Sequence, residues 1–469
     1  MAGDGTTVER LRQYLREVPP SARLLMIAEL ERNLLRGDQS AGTHFMLEEL
    51  RAIAREQRQG GPRIGHSARL FFKPLEPFLV DDIAAHQHPG RIARAALEPL
   101  WTWIRRDLLP RQAATLTEGV SEALLADDNA RAEKLTRSFQ DRVAGAVGAT
   151  FAAAAIDERP RSRMLAQIGT PRAAEDATVL LHALKFREPL DALVAPLPLQ
   201  IANLAVARLD EAKALIDAAV ARNPEILLPA LLVVMSRLVA RWQLIRLAVK
   251  AAGTDIAARV ADTPYEIAVT IVLAELERLI GELKSGFEGG RGVAVGAQLK
   301  TIHDTIQGLS SELVLPVDSG WGRMLAEQRE RLSDLIRTQV EAMPGRVQQL
   351  LRPRPSAEIR PDSTLDPNEV AVAEAIVEFV GNSRQFAGDP AVAELTQRAF
   401  AELRQYLDES SRTLLDGFRH AGEADRRFRQ SQVDAVARLC AIVCGADYAA
   451  PLFKAAEVEE APEFRLARA

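Results

Sequence analysis

Leu135, Phe139, Val143, Val147 and Phe151 recur at a strict four-residue step, with polar residues between them in no two-residue alternation. A helix turning once per 3.6 residues lays such a set along one face, and a half-buried strand would have to alternate. Gly145, Gly148 and several alanines lie beside this stripe and leave room for a partner backbone. The same period returns along most of the chain, and no strand-like alternation survives for more than four or five residues. These patterns predict an all-α fold, a multi-helix array of packed helical hairpins with a small C-terminal helical bundle.

Punctuation places the helices. Thr6 and Glu9 form a capping box before Val8, Leu11, Leu15 and Val18, and Pro19-Pro20 stops that helix. A second helix runs through Leu24, Ile27, Leu30 and Leu34 to Gly37, and a third covers 43–58. A long pattern covers 116–156, and 171–250 is helical between prolines. Its part at 226–249 is apolar nearly all round and is expected near the centre of the molecule. Helices follow at 265–283, around Ile302 and Ile306, at 322–351, and near 368–381, 390–417 and 423–445. The expected organisation is an N-terminal helical region at 1–200, a central one at 201–351, a Pro/Arg-rich linker at 352–367, a bundle at 368–455 and a frayed tail at 456–469. A length of 469 residues fits two to four packing units at roughly 100–200 residues each.

Composition narrows the class. The net charge of −5 gives no global drive toward nucleic acid or anionic membranes. Lysine stands at only eight positions among 59 basic residues, the codon habit of a GC-rich bacterial genome, so arginine clusters carry less phosphate-binding weight than usual. Cys440 and Cys444 are the only cysteines, which rules out a disulfide framework. The first twenty residues lack the apolar core of a secretory signal, and the most apolar run, 226–235, is far short of the roughly 20 residues that span a bilayer. A cytoplasmic location is expected, with no transmembrane segment.

Residues 69–111 stand apart. Two of the four tryptophans, Trp101 and Trp103, lie within one turn of Arg105 and Arg106, downstream of Phe71, Phe72 and Phe78. Placed on one helix, Ile92, Ala96, Leu97, Leu100, Trp103, Ile104 and Leu108 share one half of the wheel, and Arg94, Glu98, Thr102, Arg105 and Arg106 the other. Trp101 falls at the seam, where an indole can bury its face and keep its N–H wet. Pro99 would kink or restart this helix. Trp101, Arg105 and Arg106 are therefore the expected partner-binding residues.

Asp81-Asp82 with His86 and His88 form the densest acid–histidine grouping, and Asp82 and His86, four apart, share a helix face as metal ligands can. No HExxH and no Glu-x-x-His set accompanies them. The glycines at 289, 290, 292 and 296 follow a helix rather than a strand and lack a Lys-Ser/Thr pair, so they read as a connection and not a nucleotide loop. Cys440 and Cys444, four apart among Leu439, Ile442 and Val443, read as small buried hydrophobes. Arg346, Arg352, Arg354 and Arg360 make the linker basic, as Arg426, Arg427 and Arg429 do the C-terminal bundle, but no recognition-helix spacing accompanies them. No GxSxG elbow or Cys–His pairing is present.

The expectation is a non-catalytic cytoplasmic helical interaction or scaffold protein of bacterial type, with a protein partner, no cofactor and no nucleic acid. Two alternatives stand beside it. One is a metal- or ligand-binding helical enzyme using Asp81, Asp82, His86 and His88. The other is a peripheral protein docking on a membrane surface through the helix of Trp101, Trp103, Arg105 and Arg106.

Overall fold

The computed structural model describes residues 66–81, 88–126, 128–169, 171–288, 295–360, 363–386, 390–422 and 424–458, together with residues 26, 30, 46, 47 and 50. Apart from those five residues, which are helical, the expected helices before residue 60 lie outside the described residues, as do the glycine-rich loop at 289–294 and the tail beyond 458. The protein is all-α. The helices with described bounds are α1 His66–Phe72, α2 Leu97–Trp103, α3 Pro110–Leu125, α4 Asn129–Ile156, α5 Glu158–Ile168, α6 Pro171–Lys185, α7 Arg187–Val194, α8 Val206–Val220 and α9 Leu227–Arg237. They continue with α10 Ile245–Ala252, α11 Ala257–Ala261, α12 Glu266–Glu288, α13 Val295–Glu312, α14 Gly320–Leu351, α15 Pro367–Phe386, α16 Pro390–Arg419, α17 Arg426–Cys444 and α18 Ala446–Val458. The strands among the described residues are two-residue segments, β1 Leu79–Val80 and β2 Ile92–Ala93, paired in parallel with Leu79 opposite Ile92. None of the described helices is long and apolar enough to cross a membrane.

Two compact units divide the chain: residues 1–73 with 95–177, and residues 74–94 with 178–469. Residues 69–111 thus supply both. In the first unit α3 and α4 pack as a hairpin, with α1 against both. The pattern expected as one helix over 116–156 is two, because the Asp128 side chain accepts the Arg131 backbone N–H at 2.9 Å and caps a new start. The four-residue stripe is buried at Phe139, Val143 and Val147 but only half-buried at Leu135 and Phe151. Each such step advances 400°, so five side chains drift off the covered face.

In the second unit α9 is buried over nearly its whole circumference, from Leu227 through Pro229 to Met235, and it packs on α12. Each fully buried Leu or Val there contributes about 1.5–3 kcal/mol. Pro229 is tolerated because it sits in the first turn, whose N–H groups have no helical acceptor. The helical run expected at 226–249 breaks at Leu238, which leaves the helix to pair with Ile201 in a parallel bridge. Helices α15 to α18 pack together, and α15 also meets α13 and α14.

The described part of the segment at 352–367, expected as a Pro/Arg-rich linker, is hydrogen-bonded along α17. Pro353 and Pro355 donate nothing, and the neighbouring carbonyls accept from α17 instead: Gln432 Nε2 donates to Arg352 O at 3.0 Å and Arg429 Nη2 to Arg354 O at 3.3 Å. Ser356 Oγ donates to Asp425 Oδ2 at 2.7 Å, and Leu365 N to Ser431 Oγ at 3.0 Å. A strap that places its carbonyls against side-chain donors needs no strand partner.

Candidate functional site

Residues 92–108 do not form the single helix drawn from the sequence. Ile92 and Ala93 are in β2, Arg94–Ala96 is a 3-10 turn, α2 follows, and Ile104–Leu108 is a π-turn closed by Leu109 N to Ile104 O at 2.9 Å. The parallel pairing takes β2 out of any helix. Pro99 needs no kink, because α2 begins only two residues before it.

Trp101, expected at a wet seam, is 4% exposed. Its ring stands 5.3 Å from Phe71 and 6.2 Å from Phe139, and Phe71 stands 5.0 Å from Phe72. These separations are those of favourable tilted and edge-on aromatic pairs. Gln140, buried on α4, donates from Nε2 to Phe71 O at 2.8 Å and so fixes α1 against the nest. Trp103 is 2% exposed, and its Nε1 finds no acceptor among the described residues. The apolar half of the wheel is therefore interior, and it cannot enter a membrane or meet a partner without unpacking. Arg105 and Arg106 are exposed, as the polar half requires. Arg106 pairs with Asp107 at 2.7 Å and donates to Gln167 O at 3.3 Å, whereas Arg105 makes no ion pair among the described residues.

Of the acid–histidine grouping, Asp82 and His86 lie outside the described residues. Asp81 is exposed and held by Arg94 Nε at 3.0 Å, and the same guanidinium reaches Glu76 at 3.2 Å. No group of three His, Cys, Asp or Glu among the described residues is arranged to hold a metal. Cys440 is buried, and burial first, then the charges of Cys444 and Asp408, push its thiol up to about 12, far from a reactive thiolate.

His88 belongs instead to a buried charge cluster that the sequence did not announce. On α12, Glu275 accepts Arg278 Nε at 2.9 Å and Nη2 at 2.8 Å, and Arg241 also donates to it. Arg278 reaches Glu282 as well, and Glu277 pairs with Arg331 at 2.6 Å. Burial alone would raise the Glu275 carboxyl. The hydrogen bonds from Arg278, with the charges of Arg278, Arg241 and Arg91, carry it down to about 2. Arg91 is buried beside them and donates to Pro77 O at 2.8 Å and Met235 Sδ at 3.5 Å. It has no carboxylate of its own, and burial takes its guanidinium down to about 10. His88 is 5% exposed, and its Nε2 has no hydrogen-bond partner among the described residues. Burial holds the imidazole below its ordinary 6.5, against the pull of Glu277 and Glu275. The signal available in the sequence was the Glu275/Arg278/Glu282 spacing, which sets the three charges along one face of a helix. Nothing in the spacing pointed to Arg91 or Arg241.

A second feature is apolar and outward. Ile256 and Val314 face each other in a parallel bridge, with Val314 N donating to Asp255 O at 2.9 Å, yet they are 51% and 56% exposed. Val317, 77% exposed, follows in the turn before α14. β-branched side chains normally seek cover on a pleated surface, and here the described residues leave half or more of each in water. Comparison with known proteins finds no match: no protein-family model, no curated protein and no solved structure.

Proposed function

We propose that the protein is a non-catalytic helical scaffold that acts by binding a protein partner. The observation that carries this reading is the exposed β-branched trio Ile256, Val314 and Val317, because neighbouring apolar side chains left in water mark interaction surfaces. The buried charges favour the same reading. Each carboxylate of the α12 cluster is neutralised by an arginine, so none is a poised acid or base. Arg105, which has no ion pair among the described residues, joins the reading as a polar contact on the first unit, with Arg106 beside it.

A photo-crosslinking side chain introduced at position 256 tests it in the cells that make the protein. The expected outcome is a discrete crosslinked partner that disappears in the Val314→Asp/Val317→Asp variant at unchanged melting temperature. A wild type that yields no discrete adduct, or a variant that keeps the same one, counts against the reading.

A further inference from the structure

We propose that His88 is a proton-operated latch: a proton taken up by its imidazole in mild acid loosens residues 88–93 from α9, beside the charges of α12. The inference is independent of the scaffold reading and rests on how this stretch is held.

Residues 88–91 make a tight turn in which Arg91 N donates to His88 O at 3.1 Å. Gly90 has φ +68°, and its backbone lies so close to α9 that a Cβ would stand 2.6 Å from Leu232 Cδ1. The strand that follows, β2, is paired with β1 over two residues only. Anchorage beyond that comes from Arg91, through the Pro77 carbonyl and a weak sulfur acceptor. The stretch is thus tightly fitted but held by few hydrogen bonds among the described residues.

The groups facing His88 are Glu275, Glu277 and Arg278 from α12 and Arg91 from its own stretch. Glu275 is taken up by Arg278 and Arg241, and Glu277 by Arg331. An imidazolium would therefore be a second buried cation beside Arg91, with its Nε2–H lacking an acceptor. In the loosened form the same imidazolium is hydrated. The loosened form binds the proton more tightly, and its population rises as pH falls through the imidazole range.

Amide exchange in the full-length protein reads this directly, with rates corrected for the intrinsic effect of pH. Between about pH 7.5 and about pH 5.5 the amides of Ile92 and Ala93 are expected to lose about tenfold in protection. His88→Gln, neutral throughout, should flatten that dependence, and His86→Gln should keep it. Wild-type protection that ignores pH, the same dependence in His88→Gln, or its loss in His86→Gln alone would overturn the proposal. Should His88→Gln not fold, an NMR titration of the wild-type histidines decides. The His88 ring and the Ile92 and Ala93 amides are expected to shift together, below the ordinary imidazole value. A ring that titrates while those amides stay fixed refutes the latch.

Discussion

Arg278 grips Glu275 from one turn further along α12, with Nε and Nη2 each donating to a different carboxylate oxygen. Both side chains are withdrawn from water, at 10% and 4% exposure. Charges so placed are costly alone and tolerable only together. Arg278→Ala is therefore expected to destabilise the protein by about 3–5 kcal/mol, because Glu275 keeps a buried, poorly compensated charge. The Glu275→Gln/Arg278→Met double variant should recover much of that loss. Urea unfolding measures both, and a single variant as stable as the double would disprove the assignment.

The same carboxylate sets an acid limit. Its value of about 2 lies below the ordinary 4.5, so the stability it contributes is complete above pH 4.5 and is lost as pH falls toward 2. His88 acts earlier: its lowered imidazole contributes fully above 6.5, and that contribution is lost as pH falls below 6.5 toward the depressed value. Melting temperature followed against pH should thus decline in two steps. Glu275→Gln should shrink the lower step, which Asp217 and Asp425 share, and spare the upper.

Gly90 and Gly253 share a left-handed backbone, φ +68° and +67°, but not their surroundings. A Cβ at Gly253 meets nothing within 4 Å, and one at Gly90 meets Leu232. Gly253→Ala should cost about 1–2 kcal/mol from backbone strain alone. Gly90→Ala should add about 1–3 kcal/mol of overpacking to that strain. Equal midpoints of chemical unfolding for the two variants would contradict the packing against α9.

Burial of Trp101 and Trp103 has an optical consequence. In a Trp242→Phe/Trp321→Phe background their emission should be blue-shifted and poorly quenched by acrylamide. Phe139→Ala, which empties one side of the aromatic nest, should cost about 3–5 kcal/mol and shift the emission to the red. Efficient quenching in the parent would place the rings at the surface.

Arg105→Glu is expected to leave the melting temperature unchanged, since Arg105 has no ion pair among the described residues to lose. If the scaffold reading holds on this unit, charge reversal at Arg105 and Arg106 weakens partner capture without unfolding the protein. A fall in melting temperature as large as that of Phe139→Ala would assign these arginines to the core instead.

The aromatic–basic segment shows where sequence reading stops. The wheel separated Leu100, Trp103 and Ile104 from Arg105 and Arg106 correctly, because sidedness is a property of one helix. It left Trp101 at the seam, since the Phe71 and Phe139 rings that cover it come from α1 and α4. The strap shows the same limit: its prolines announce a segment without ladder hydrogen bonds, but not that Arg429, Ser431 and Gln432 would satisfy it.

What the sequence determined by itself was the all-α class, the approximate place of most described helices and the lack of an apolar span among them. Those properties depend on neighbours three or four residues apart, which any window of the chain displays. Tertiary structure alone decided that His88 and Arg91 meet Glu275, more than 180 residues away, and that Ile256 and Val314 pair while remaining exposed. Burial and charge compensation are sums over distant segments, and no local period encodes which of them will meet.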